Sequence, residues 1–88
     1  YLQFYFTLKM DINIATLNIR GINDKKKVEY LKDTLELKKI EICFIQETHL
    51  MNDNIDYISS SLNNYNIYTM LNTEKTKGVC ILIKKSLD

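Results

Sequence analysis

Ile12-Asn13-Ile14-Ala15-Thr16-Leu17-Asn18-Ile19-Arg20-Gly21 and Ile42-Cys43-Phe44-Ile45-Gln46-Glu47-Thr48-His49 are the two stretches on which the fold turns. The first is rich in β-branched and aliphatic residues and is broken by a glycine, the pattern of a strand that ends in a turn. The second opens on a continuous apolar run of strand length, as expected of a strand covered on both faces. Between them, Asn23-Asp24 offers a helix N-cap, and Val28, Leu31 and Leu35 recur at helical spacing opposite Lys26, Glu29, Lys32, Asp33 and Glu36. That spacing predicts an amphipathic helix of about three or four turns. Strand, helix and strand within about thirty-five residues form a βαβ unit, whose two strands run parallel in one sheet.

Outward from this unit, Ile55, Ile58 and Leu62 share one face of a second helix predicted over Asn54–Leu62, with Asp53 as its cap and Asn63-Asn64 as its stop. Ile67–Leu71 and Val79–Ile83 read as two further strands joined by a polar turn at Asn72–Lys77. Upstream, Tyr1–Leu8 is apolar and aromatic but short, without the basic flank and small-residue cleavage site of a signal peptide. Met10 offers a natural start, so residues 1–10 are set apart as an N-terminal extension ahead of a domain portion over 11–88. An extra edge strand is the plainer alternative for the same residues.

The chain has 88 residues, 45% of them hydrophobic and 26% charged, with a formal net charge of +1. That balance argues against a disordered tail and against a strongly basic nucleic-acid arm. Any basic patch must come from local clusters such as Lys25-Lys26-Lys27, Lys38-Lys39 and Lys84-Lys85. The first of these opposes the helix dipole unless a phosphate or carboxylate lies nearby, although a solvated charged face explains it as well. Cys43 and Cys80 each sit in an apolar run with no Cys or His at ligand spacing, so they read as core thiols of a protein from a reducing compartment, nucleus or cytoplasm. No apolar stretch reaches the roughly 20 residues of a membrane-spanning helix, and no membrane partner is expected.

Two polar residues break the pattern. Asn18 and Glu47 each stand near the carboxyl end of a strand of the βαβ unit, where ligand-binding and catalytic groups of such sheets collect. A carboxylate ending a buried strand needs a partner or a metal, and oxygen ligands of this kind suit Mg²⁺. Each residue also has a plainer reading: Asn18 satisfying strand-end backbone groups, Glu47 pointing to solvent. Gln46 most simply makes a local hydrogen bond, and His49 lacks a partner for a zinc site.

The strings around these residues carry more than their spacing. Ile14-Ala15-Thr16-Leu17-Asn18-Ile19-Arg20-Gly21, then Ile42-Cys43-Phe44-Ile45-Gln46-Glu47-Thr48-His49-Leu50, then Gly78-Val79-Cys80-Ile81-Leu82 together resemble the endonuclease/exonuclease/phosphatase superfamily. The closest likeness is to the apurinic-type endonuclease domain at the amino end of non-LTR (LINE-type) retrotransposon proteins, over about Asp11 to Lys84. The resemblance implies an α/β fold, a partial DNase I-like α/β sandwich incomplete at its C-terminus. It implies a Mg²⁺-dependent phosphodiesterase whose parent nicks DNA, with Glu47 on the metal-binding glutamate and Asn18 on the active-site asparagine beside metal and phosphate. The family's later tyrosine, Asp-x-Asn pair and terminal Asp-His pair have no matching motif here, and Asp56, Tyr57 and Tyr65 stand in the wrong context to replace them. The chain by itself is therefore expected to be inactive, with the missing C-terminal part of the domain as its natural partner. Two alternatives stay open: a non-catalytic remnant acting at most as a weak interaction module, and a fragment of a phosphoester phosphatase of the same superfamily.

Overall fold

The computed structural model describes residues 2–7, 11–49, 55–70 and 78–87. Its elements in chain order are β1 (Leu2–Thr7), β2 (Asn13–Asn18), α1 (Lys25–Leu37), β3 (Ile42–Gln46), α2 (Ile55–Ser61), β4 (Tyr65–Met70) and β5 (Val79–Lys84). They make one five-stranded sheet in the order β1-β2-β3-β5-β4. β2 and β3 are parallel, as the βαβ spacing requires, while β1, β4 and β5 join antiparallel to their neighbours.

Alternation in the strands gives the sheet two unlike faces. Ala15 and Leu17 of β2, Cys43 and Ile45 of β3, and Cys80 and Leu82 of β5 are buried, and they cluster with Val28, Leu31 and Leu35 of α1 and with Ile58 and Leu62. The helical spacing of α1 thus lands on the core as predicted. Cys43 and Cys80 are free, buried thiols within that core. The opposite face carries Ile14, Thr16, Ile42, Phe44, Ile81, Ile83, Val79 and Tyr68, which the strand registers place side by side. Phe44 is 40% exposed and Tyr68 51%. The expectation that β3 is covered on both faces therefore holds for one: the described helices pack on a single side.

Polar groups close the ends of the helix layer. Asp24 caps α1, its carboxylate accepting from the Lys26 amide at 2.9 Å. At the other end Asn13 donates through Nδ2 to the Lys38 and Lys39 carbonyls, which α1 leaves without intrahelical partners. Tyr65 begins β4 two residues before the apolar run that predicted it. Its hydroxyl donates to the Ile40 carbonyl at 2.5 Å, which anchors that early start. Within the residues set apart as an extension, Leu2–Thr7 form β1 along the edge of β2, where the Tyr5 hydroxyl donates to Lys38 O and the Lys38 ammonium lies 5.3 Å from the Tyr5 ring centre. Asp53, Asn54 and the turn at 72–77 lie outside the described residues.

Candidate functional site

The parallel pair β2–β3 brings Asn18 and Gln46 into register, one residue before Glu47. Sequence spacing put Asn18 and Glu47 at the same end of the sheet, and the structure joins them: Asn18 Nδ2 donates to Glu47 Oε2. Asn18 Oδ1 accepts from the Arg20 amide at 3.2 Å. A carboxylate can only accept and a backbone N–H can only donate, so both ends of the Asn18 amide are fixed by their partners. The second oxygen of Glu47 has no hydrogen-bond partner among the described residues, and the side chain is exposed.

The backbone around the pair is unusual. Glu47, His49 and Arg20 take left-handed conformations, with φ of +53°, +48° and +52°. Residues other than glycine adopt this region at a cost, and such positions gather at functional sites. Hydrogen bonding between β2 and β3 continues past the strands: Ile19 N–H donates to Gln46 O, Gly21 N–H to Glu47 O and Ile22 N–H to Thr48 O, at 3.2, 2.7 and 2.8 Å. Asn23 Nδ2 donates to His49 O at 2.6 Å. Gln46 makes the local bond expected of it, from Nε2 to Phe44 O at 3.2 Å.

Charge at this end comes from α1. Of the three lysines that open it, Lys27 turns back and donates to the Ile19 and Arg20 carbonyls, at 3.1 and 2.7 Å. Lys25 lies 5.4 Å from the Tyr57 ring centre on α2, a cation–π contact that ties the two helices together. Lys26 and Arg20 are exposed. Two of the three lysines thus have structural partners, and Arg20, whose amide binds Asn18 Oδ1, is an exposed cation two residues after Asn18.

No group of three or more metal-ligating side chains occurs among the described residues. Mg²⁺ needs less than that from a protein, commonly one or two carboxylates with water and substrate phosphate completing its shell. One exposed carboxylate, steadied by an amide and with an oxygen to spare, fits that requirement as a single protein ligand. A cavity of about 170 Å³ lies elsewhere, among Lys32, Leu35, Leu62, Tyr65 and Lys84 at the opposite end of β5. It holds neither Asn18, which is half-buried, nor Glu47, which is exposed. Sequence reasoning missed Thr48, a buried polar residue directly after Glu47. The signal available was positional: the chain's two glycines both fall at the strand ends that flank it.

No protein-family model matches the chain, and no curated protein matches it. Among solved structures it is similar to the crystal structure of the Xenopus laevis APE2 catalytic domain, with a TM-score of 0.62 and 30% sequence identity over 83% of this chain. The chain spans 23% of that chain's length. In fold and in sequence it is therefore similar to part of a catalytic domain of the DNase I-like endonuclease/exonuclease/phosphatase superfamily.

Proposed function

We propose that this chain forms the amino-terminal part of a divalent-metal-dependent phosphodiesterase domain whose complete form nicks DNA. The observation that carries the reading is the Asn18–Glu47 pair, assembled from the ends of two parallel strands in a frame similar to a catalytic domain of the DNase I-like superfamily. Glu47 would hold the metal and Asn18 would hold Glu47, its amide being committed to that carboxylate and to Arg20 N–H. A bound Mg²⁺ supplies neutralisation of the charge that develops on a phosphoryl oxygen. The chain's own contribution is to fix one ligand and to present Arg20 beside it as a counter-charge for a phosphate backbone.

The uncovered apolar face supports the incomplete sandwich. A second sheet packed there, from a longer chain, would cover Phe44, Ile81 and Tyr68 and enclose the pair's corner of the molecule. The retrotransposon setting rests on the strings around Asn18, Glu47 and Gly78, and the reducing compartment on the apolar sequence setting of Cys43 and Cys80.

Plasmid nicking tests the reading. The 88-residue chain with Mg²⁺ leaves supercoiled DNA intact, because a concerted site without most of its members loses orders of magnitude in rate. A longer chain carrying the same residues relaxes the plasmid and loses that activity in Glu47→Ala. If the longer chain releases phosphate from inositol phosphates and leaves the plasmid untouched, the DNA reading fails in favour of a phosphatase.

A further inference from the structure

The chain has two glycines, and both stand against the residues that carry Glu47 out of β3. Gly21 follows β2 and Gly78 precedes β5, the two neighbours of β3 in the sheet. On the β2 side, the Gly21 and Ile22 amides bind the Glu47 and Thr48 carbonyls, and the His49 ring closes over Gly21, where a Cβ would lie 3.4 Å from Nδ1. On the β5 side, Thr48 N–H donates to Gly78 O at 3.2 Å, and a Cβ on Gly78 would come within 2.6 Å of the Thr48 hydroxyl oxygen. Gly78 holds φ +141°, a conformation open to glycine and strained for other residues. The turn bearing Glu47 is thus gripped from both sides; the grip at Gly78 leaves no room for a side chain, while at Gly21 it is the backbone, at φ +96°, that favours glycine.

Thr48 is the middle of that turn. It is the one buried polar residue among the described residues, 1% exposed, and its hydroxyl has no hydrogen-bond partner among them. A buried, unpartnered hydroxyl weakens a fold, so core packing alone gives no reason for threonine here. Glu47 before it and His49 after it are both left-handed and neither is glycine, so their conformation has to be imposed by what surrounds them.

We propose that Thr48 is a positioning residue for Glu47, acting through its contact with Gly78. Wedged between the Ile22 amide and Gly78, it fixes the backbone one residue beyond Glu47 and so aims the carboxylate at Asn18. Without the Thr48 side chain against Gly78, the β5 side keeps only the Thr48 N–H to Gly78 O bond, and the carboxylate leaves the Asn18 amide. The metal-binding role of Glu47 gives this device its purpose and rests on the function proposed above; the geometry stands apart from it.

The side-chain amide protons of Asn18 report the contact directly by NMR of the 88-residue chain. A proton donated to a carboxylate resonates apart from those of solvated asparagines, and Glu47→Ala should return it to their range. Thr48→Ala is expected to do the same while the backbone amide spectrum stays dispersed, and Thr48→Ser, which keeps an oxygen against Gly78, to retain the shifted signal. Gly78→Ala approaches the same contact from β5 and should release the proton in a chain that keeps Thr48. It decides the matter if Thr48→Ala does not fold. An Asn18 signal unchanged in Thr48→Ala or in Gly78→Ala overturns the proposal, as does its loss in Thr48→Ser. Added Mn²⁺ tests metal binding by the isolated chain separately: absence of broadening at Asn18 and Glu47 means that Glu47 alone does not hold the metal, and it leaves the positioning role standing.

Discussion

At the scale of single residues, the two cysteines show how one physical term governs reactivity and stability together. Burial pushes the Cys43 thiol from an ordinary 9.0 up to about 12, with the neighbouring Cys80 adding to it, and burial alone takes Cys80 to about 12. Thiol reagents act on the thiolate, so at pH 8 the folded chain should react with a disulfide probe only as fast as it opens, while the denatured chain reacts at once. The folded form binds these protons more tightly than the unfolded form does. Their contribution to stability is therefore complete below about pH 9 and is lost as the pH rises towards about 12. Tyr65, raised from 10.0 to about 12 chiefly by burial, adds to the same alkaline loss. Urea melts should give a midpoint little changed between pH 7 and 9 and lower at pH 11, and a midpoint that rises between pH 9 and 11 would contradict the burial argument.

At the scale of elements, α1 is where sequence and structure agree most closely, and the reason is its period. Three apolar residues at helical spacing admit one buried face, and Asp24 is a capping residue at the right place before them. Its carboxylate satisfies the Lys26 amide, and no acidic residue in the first turn can take over. Asp24→Ala should cost about 1 kcal/mol, seen as a fall in melting temperature of about 4–8 °C for a domain of this size; an unchanged melting temperature would show that the cap is redundant. The parallel pairing of β2 and β3 was legible for a similar reason, since a helix-length crossover dictates it. Other features were not legible. The edge role of β1 is one of two readings the sequence leaves open, because the pairing with β2 that decides it is encoded in no local pattern. The left-handed turns at Arg20, Glu47 and His49 arise from long-range bonds such as Gly21 N–H to Glu47 O, against the intrinsic preference of those residues. Asn18 and Glu47 stood out as polar groups at strand ends, whereas Thr48 did not, because its importance comes from a contact with Gly78 thirty positions further along the chain.

At the scale of the whole molecule, the sheet's two faces set the terms on which the chain can exist alone. One face is sealed by α1 and α2, and the other shows Phe44, Val79 and Tyr68 at 40, 53 and 51% exposure beside half-buried Ile14, Ile42, Ile81 and Ile83. An apolar face of that extent marks either a covering partner or a tendency to associate. The 88-residue chain should therefore bind a hydrophobic dye and elute above its 10.4 kDa monomer mass. Phe44→Gln tests what the face is for, because the sign of its effect depends on what covers it. In the isolated chain the substitution removes exposed hydrocarbon, so dye binding and association should fall while thermal stability holds. In a longer chain whose second sheet packs on this face, the same residue becomes core, and placing an amide there should cost about 3–5 kcal/mol, the range for losing a buried aromatic side chain. Destabilisation in both settings would mean that Phe44 already belongs to the core, and stability unchanged in both would mean that nothing packs on β3 from this side. The opposite responses, taken together, would place a second layer over the face at whose edge Asn18 and Glu47 meet.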